Sequence, residues 1–154
     1  MNIVLFRIDE RFIHGQILQG WRGLEYQHIV VISDKIAEDK MGKELQLIGV
    51  PDGVTACFYN KKELPDMIRD QAKNTRRTII LVGNVEDALL VVQSGIKADR
   101  LNLGVMSRNS FRTHTVSNAV YVSPEEMDVL KQIADMGIVV EVQGVERDAA
   151  VRLF

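Results

Sequence analysis

Residues 2–16 read NIVLFRIDERFIHGQ, and the predictions for the whole chain start from this stretch. The apolar, β-prone run Asn2–Ile8 predicts a buried strand, and the apolar spacing in Gly15–Leu24 predicts a short amphipathic helix. Between them, the segment Arg7–Gln16 is a strand-to-helix turn rich in ionisable side chains. In a parallel α/β sheet such turns lie at the carboxyl ends of strands, where ligands bind. His14 is therefore the leading candidate for a reactive residue.

Apolar runs and helical patterns alternate along the rest of the chain. Further strands are predicted at His28–Ile32, Val54–Tyr59, Arg77–Val82, Arg100–Val105, Val116–Val122 and Ile138–Val142. Further helices are predicted at Ala37–Ile48, Lys61–Lys73, Val85–Gln93 and from Ser123 to about Met136. Strands of continuous hydrophobicity indicate a mostly parallel sheet that is covered on both faces.

These patterns predict an α/β fold: one doubly wound domain over residues 1–154, with a central sheet of about six to seven strands and helices on both faces. Met41, Leu45 and Ile48 are expected to form the apolar stripe of the second helix. The tail, Glu146–Phe154, is expected to add a final turn or to pack on a neighbouring element.

Composition excludes several classes of protein. The chain has 154 residues, is 46% hydrophobic and 26% charged, and carries a net charge of −2. This balance argues against a nucleic-acid surface, which needs a clustered basic face. No apolar run approaches the ~20 residues that span a bilayer, and the N-terminus is not a signal peptide, so we expect no direct membrane insertion. A single cysteine, Cys57, allows no intramolecular disulfide and fits a reducing cytoplasm.

Four predicted strand ends carry polar chemistry. These are the ends of the first, second, fourth and fifth predicted strands. If the first strand lies beside the fourth, in the usual doubly wound manner, the turn at residues 7–16 meets the end of the fourth strand. The ends of the second and fifth strands then flank this pair. The candidates on these neighbouring strand ends are Asp34, Asn84, Gly104, Met106, Arg108 and Arg112.

The residue types around His14 suit a histidine that forms a covalent bond to an anionic group such as a phosphoryl group. Imidazole is a competent nucleophile near neutral pH, and a phosphohistidine carries roughly two negative charges that need cations or amide donors. Arg7 and Arg11 would supply cations, and Gly15 would allow close backbone approach at the start of a helix. Asp9 would orient an arginine or the imidazole tautomer. On this reasoning alone, a purely structural histidine is an equal alternative.

Other sites have weaker support in the sequence. His28 is expected to be packed or on the surface, and His114 is a minor accessory candidate in a polar loop. Cys57 is expected to be a small buried hydrophobic residue, and Trp21 is expected to pack in the core. No metal-ligand spacing, phosphate-binding loop or dinucleotide fingerprint is present, so neither a metal nor a cofactor is expected.

The chain resembles the IIB components of the mannose/fructose/sorbose family of the bacterial phosphoenolpyruvate-dependent sugar phosphotransferase system. Residues 4–16, VLFRIDERFIHGQ, are similar to the family signature R-I-D-x-R-(L/F)-I-H-G-Q. Residues 30–39 (VVISDKIAED), 81–95 (LVGNVEDALLVVQSG) and 101–106 (LNLGVM) are similar to later family segments, in the same order and spacing. The resemblance covers nearly the whole chain.

The resemblance implies a cytoplasmic phosphohistidine carrier. His14 would accept a phosphoryl group on Nδ1 from a IIA phosphohistidine and pass it to a sugar bound by the membrane IIC/IID components. Arg11, Arg7, Asp9, Gly15 and Gln16 match the surrounding motif as phosphate-stabilising residues. A regulatory module that reports the state of the system without moving sugar is the alternative function. Self-association into a homo-oligomer is left open.

Two segments depart from the family pattern. Residues 107–115 (SRNSFRTHT) replace the usual F-R-x-G-R-K run that follows the fifth strand, and Val105 stands where a second glycine is usual. The C-terminal segment 145–154 (VERDAAVRLF) also differs. Neither departure touches the turn that holds His14, so what they leave open is the choice of partner and sugar.

Overall fold

A seven-stranded, mostly parallel sheet forms the centre of the molecule. The computed structural model describes residues 1–154. The strands are β1 (Asn2–Asp9), β2 (His28–Ile32), β3 (Thr55–Tyr59), β4 (Arg77–Val82), β5 (Arg100–Val105), β6 (His114–Thr115), β7 (Tyr121–Val122), β8 (Val139–Val142) and β9 (Val151–Arg152). Their order in the main sheet is β3-β2-β4-β1-β5-β8-β9, and only the β8–β9 pair is antiparallel. The predicted neighbourhood of the first and fourth strands is confirmed.

Six α-helices divide between the two faces of this sheet. They are α1 (Gly15–Gly20), α2 (Asp34–Ala37), α3 (Lys40–Leu47), α4 (Leu64–Gln71), α5 (Val85–Gln93) and α6 (Pro124–Asp135). Buried residues of α1 and α2 pack with one set of strand side chains, and those of α4, α5 and α6 pack with the alternate set. The predicted doubly wound α/β fold with helices on both faces is confirmed.

Local chemistry explains where several helices begin and end. The side chain of Asn84 accepts a hydrogen bond from the Asp87 amide and so starts α5, which has the predicted bounds. Ser123 and Glu126 form a reciprocal capping box at the start of α6. Gly95 and Gly137 follow these two helices with φ of 92° and 90°, a conformation that a residue without a Cβ adopts readily.

The predicted helix Ala37–Ile48 is wrong in its bounds, and its predicted apolar stripe does not face the sheet. Asp39 accepts a hydrogen bond from the Gly42 amide and starts a new helix, so the segment is divided into α2 and α3. The stripe faces outward, and Met41, Leu45 and Ile48 are 71%, 63% and 79% exposed. Helical spacing reveals that residues share a face, but it does not say which face meets the sheet.

The predicted sixth strand, Val116–Val122, is also wrong. Residues 117–119 form a bend, and Val120 forms only an isolated bridge with Met106. The segment instead contributes to a small antiparallel pair, β6–β7, outside the main sheet. The tail, Glu146–Phe154, begins with the expected turn at residues 146–147, and its later part packs on the neighbouring β8 as a short edge strand, β9.

Alternation along β1 sets the position of the polar side chains. Phe6 and Ile8 belong to the apolar cluster with α4, α5 and α6, while Leu5 belongs to the cluster with α1. Since successive strand residues point to opposite faces, Arg7 and Asp9 lie on the α1 side of the sheet. This register brings two charged side chains under the turn that leads into α1.

Candidate functional site

The turn between β1 and α1 lies at the carboxyl edge of the sheet, against the end of β4. The ring of Phe12 is buried and packs on Gly83, where an added Cβ would come within 2.7 Å of the ring carbon Cζ. A polar cavity of about 290 Å³ lies beside the turn, and its lining includes Arg11, Lys35, Gln46 and Asn84. The strand ends predicted to meet do meet here.

A buried chain of polar contacts runs from Arg7 through Asp9 to His14. The Arg7 guanidinium donates to Asp9 Oδ2 from Nε at 3.1 Å and from Nη2 at 3.0 Å. The same carboxylate oxygen lies 3.1 Å from His14 Nε2. The side chains of Arg7 and Asp9 are fully buried, whereas that of His14 is 16% exposed. The imidazole is therefore held from below and open from above.

Asp9 is ionised in this arrangement. Burial alone would raise the pKa of the Asp9 carboxyl, but the hydrogen bond with His14 and the charge of Arg7 together hold this pKa below its usual value. An ionised carboxylate can only accept hydrogen bonds, so His14 Nε2 is the donor in the contact. In the neutral imidazole, donation from Nε2 leaves the free lone pair on Nδ1.

The Arg7 guanidinium is held by hydrogen bonds and by an aromatic ring in addition to its contact with Asp9. Its Nη1 donates to Asn102 Oδ1 at 2.7 Å and to the carbonyl oxygens of Gln143 and Gly144 at 2.9 and 3.1 Å. The Trp21 ring centre lies 5.7 Å from the guanidinium carbon, within the range of a cation–π contact. Burial lowers the pKa of Arg7, and the neighbouring Asp9 opposes that shift. Arg7 is thus a buried partner of Asp9.

Arg11 and Gln16 form an outer pair above Asp9. Arg11 Nη2 donates to Gln16 Oε1 at 2.6 Å, and Arg11 Nε lies 4.0 Å from Asp9 Oδ1. Gln16 Nε2 donates in turn to the Gly144 carbonyl oxygen at 3.3 Å. The Arg11 side chain is 53% exposed, so a cation is available to a ligand at His14. At Gly15, an added Cβ would meet no atom within 4 Å, so the space beside the start of α1 is open.

A family described as the PTS system sorbose subfamily IIB component matches residues 3–154. The chain belongs to this family of phosphotransferase-system IIB components. The resemblance identified from the N-terminal motif is confirmed.

Curated relatives are sugar-specific members of the same system. The chain is 30% identical over 151 residues to the fructose-specific EIIB component of Bacillus subtilis, covering 97% of this chain and 92% of that protein. It is 31% identical to the mannose-specific EIIAB component of Escherichia coli K12, covering all of this chain and 48% of that protein. The chain therefore spans about half the length of the mannose relative.

Solved structures agree with the fold. A phosphoenolpyruvate-dependent phosphotransferase system protein superposes with a TM-score of 0.86 at 30% identity, over 99% of this chain and 94% of that one. The IIB domain of the sorbose permease from Klebsiella pneumoniae gives a TM-score of 0.88 at 24% identity, over 98% and 93% of the two chains. No helix in this IIB chain combines the length and the apolar character that crossing a membrane requires.

Two of the predicted arginines differ from expectation in this IIB chain. Arg7 is predicted to contact the phosphate, but it is fully buried and reaches the site only through Asp9. Arg112 is predicted at a neighbouring strand end, but its side chain is almost buried between Glu10 and Glu126. Arg112 also donates to the Ser107 carbonyl oxygen at 2.6 Å, so it fastens its loop to the turn. Both guanidinium groups are buried or nearly buried and already paired with carboxylates, so neither is exposed to a ligand at His14.

The remaining strand-end candidates divide into neighbours of the turn and distant residues. Asn84 lines the cavity beside Arg11, although its side chain caps α5. Asp34 accepts a hydrogen bond from the Lys61 amide at 2.7 Å and pairs with the Lys61 ammonium, so its polar contacts are with Lys61. Met106 is fully buried in the core, and Arg108 is exposed on the loop after β5. Gly104 lies directly beneath Arg7.

The other histidines and the cysteine lie outside this site. His28 is buried and its Nδ1 lies 2.7 Å from the Thr55 hydroxyl, and His114 is exposed in β6. Cys57 is half-buried, not fully buried as predicted, and burial raises the pKa of its thiol. No group of three or more His, Cys, Asp or Glu side chains is arranged to hold a metal ion.

One residue of the site has no signal in the sequence. Gln46, on α3, accepts a hydrogen bond from the Ile13 amide at 2.9 Å and donates one to the Arg11 carbonyl oxygen at 3.3 Å. It lies 33 residues beyond the turn that it contacts. A single polar residue on a helical stripe carries no local pattern from which such a contact could be predicted.

A substitution at Gly104 tests whether the buried polar contacts from Arg7 through Asp9 to His14 depend on the space beneath Arg7. An added Cβ at residue 104 would overlap the Arg7 guanidinium. We expect Gly104→Ala to displace Arg7 and to lower the free energy of unfolding by about 1–3 kcal/mol, as overpacking a filled site does. Urea unfolding measures this loss. Gly15→Ala is the matched control, because its Cβ meets open space; equal stability losses in the two variants would contradict this reading.

Proposed function

We propose that the protein is a phosphohistidine carrier of the cytoplasm. In this proposal His14 accepts a phosphoryl group from a phosphohistidine on a IIA component. It then transfers the group to a sugar that the membrane IIC/IID components hold during uptake. The family supports a role in the sugar phosphotransferase system, and the polar chain beneath His14 supports the covalent step.

The contact between His14 Nε2 and Asp9 carries the proposal. Because Nε2 donates to an ionised carboxylate, the lone pair of the ring lies on Nδ1. An imidazole in this tautomer attacks through Nδ1 without first losing a proton. The buried carboxylate therefore selects the nucleophilic atom as well as the orientation of the ring.

In the first step one bond to phosphorus forms as another breaks, so the transfer needs no further reactant. The Nδ1 lone pair forms a bond to phosphorus, and the bond between phosphorus and the donor nitrogen breaks, leaving its electron pair on the donor. The His14 ring gains positive charge as this bond forms, and the negative charge of Asp9 compensates it. In the second step the oxygen of a sugar hydroxyl forms a bond to phosphorus and displaces the ring nitrogen, which recovers its lone pair, while the hydroxyl proton passes to a base at the sugar site or to water. In-line transfers of this kind depend mainly on positioning and charge stabilisation.

Arg11 and Gln16 are the proposed phosphate-stabilising side chains. The half-exposed Arg11 guanidinium is anchored by Gln16 and lies above the same carboxylate that holds His14. A phosphoryl group on His14 carries roughly two negative charges, so this cation would stabilise both the transition state and the phosphorylated protein. The open space at Gly15 leaves room for its oxygens. Arg7 contributes by keeping Asp9 ionised and fixed.

A carrier must present the same imidazole to two partners in turn. His14 lies in the turn at the carboxyl edge of the sheet and keeps 16% of its side-chain surface exposed, which suits successive docking to a donor and an acceptor. The E. coli mannose relative is named as an EIIAB component, which supports a IIA protein as the donor. We expect the interfaces to be transient and of modest area.

The decisive variant is His14→Ala. We expect it to fold normally and to take up no phosphoryl group when incubated with phosphoenolpyruvate, the general phosphotransfer proteins and IIA. Mass spectrometry under non-acidic conditions measures the label, since phosphohistidine is lost in acid. His114→Ala is the control, because it removes an exposed histidine far along the chain and should label fully. Labelling of His14→Ala at the wild-type level would refute the proposed function.

A second variant tests the role of Arg11. We expect Arg11→Ala to slow phosphoryl transfer at least about tenfold, because a charged stabiliser of a developing anion is typically worth several kcal/mol. Rapid-quench measurement of the transfer rate checks this. The control is Arg69→Ala on α4, which removes an exposed arginine from the opposite face of the sheet. If Arg11→Ala and Arg69→Ala transfer at the same rate, Arg11 does not stabilise the phosphoryl group.

A further inference from the structure

The backbone of the turn adopts an uncommon conformation just before His14. Phe12 has a φ of 56°, in the left-handed region that non-glycine residues seldom adopt. Such a conformation costs of the order of 1 kcal/mol and persists only where surrounding contacts enforce it. The ring of Phe12 is anchored on Gly83, and the Phe12 amide donates to the Asp9 carbonyl oxygen at 3.0 Å.

Gln46 contacts the backbone on both sides of this residue. Its Oε1 accepts from the Ile13 amide, and its Nε2 donates to the Arg11 carbonyl oxygen. One side-chain amide therefore bridges the peptide groups before and after Phe12. Asp9 Oδ1 supplies one more contact, accepting from the Arg11 amide at 3.0 Å. Together these bonds define the path of the chain from Arg11 into His14.

The helix that carries Gln46 has little other reason to be held to the turn. No residue of α3 is fully buried, and its apolar stripe faces solvent. The side-chain amide of Gln46 therefore bonds to the turn and does not contribute to the core. A glutamine that served only to stabilise α3 would bond within the helix or to solvent.

We propose that Gln46 is a positioning residue for phosphoryl transfer. By fixing the peptide groups on both sides of Phe12, it sets where the Arg11 side chain leaves the turn and where the His14 ring begins. The proposal rests on the function proposed above for His14. It assigns Gln46 no contact with the phosphoryl group, and it predicts an effect on the rate of the chemical step rather than on docking of the donor.

The test compares Gln46→Met with Gln93→Met in single-turnover transfer from phosphorylated IIA. Methionine keeps the length of the side chain and removes both hydrogen bonds. Gln93 is exposed at the end of α5, on the other face of the sheet. We expect Gln46→Met to lower the rate at saturating donor at least fivefold, because misplacing a reacting group by about 1 Å can slow a reaction 100-fold. The half-saturating donor concentration should stay within twofold of wild type.

A second measurement separates positioning from general loss of structure. Amide hydrogen exchange at Ile13 should become at least tenfold faster in Gln46→Met, while amides in β1 and β4 keep their wild-type protection. Gln46→Glu is the second variant, because a carboxylate retains the acceptor for Ile13 and loses the donor to Arg11. We expect Ile13 to stay protected in this variant and the saturated rate to fall below that of wild type.

Each outcome decides between the two proposals. A wild-type rate in Gln46→Met, or a loss confined to the half-saturating concentration, overturns the positioning role and leaves His14 as the carrier. Loss of protection throughout β1 and β4 also overturns it, since Gln46 would then be a stability residue. If wild type and Gln93→Met are themselves not phosphorylated, the proposed function fails, and the role of Gln46 fails with it.

Discussion

The carboxylate of Asp9 is the group on which the site depends. It accepts from a buried arginine on one side and from the candidate nucleophile on the other, while its second oxygen caps the Arg11 amide. Removing a charge pair from water is expensive, and the penalty is offset only when geometry and additional hydrogen bonds are favourable. Here Arg7 meets that condition through Asn102 and two carbonyl oxygens. The result is a fixed negative charge directly below a mostly buried imidazole that keeps one side exposed.

The position of β1 inside the sheet supports this arrangement from both sides. Parallel strands end at the same edge, and β1 lies between β4 and β5, so the turn after β1 is flanked on both sides. The end of β4 supplies Gly83, on which Phe12 packs, and β5 supplies Gly104, which leaves space for Arg7. The loop after β5 is tied back to Glu10 through Arg112. Scaffold and site are therefore built from the same strand ends.

Much of this could be predicted from the sequence, and the reasons for the misses are physical. Continuous apolar runs identified all the main strands except the short β9, and the ionisable turn identified His14. The pairing of the first and fourth strands could be predicted, but individual side-chain contacts between distant residues could not. Gln46 reaches the turn from another helix, and Arg112 is paired with two acids that lie elsewhere in the sequence. Helical spacing correctly predicted that Met41, Leu45 and Ile48 form one stripe. It did not predict that this stripe faces solvent. The burial of Arg7 could not be predicted either, because a sequence motif does not distinguish a buried arginine from an exposed one.

We propose that Asp9 holds His14 Nε2 and so directs the phosphoryl group to Nδ1. The most direct measurement is nitrogen-15 and phosphorus-31 NMR of the phosphorylated protein with labelled histidine. We expect a phosphorus–nitrogen coupling at Nδ1 of His14, with Nε2 protonated. A phosphoryl group on Nε2, which would require the bond to Asp9 to be broken, would contradict it.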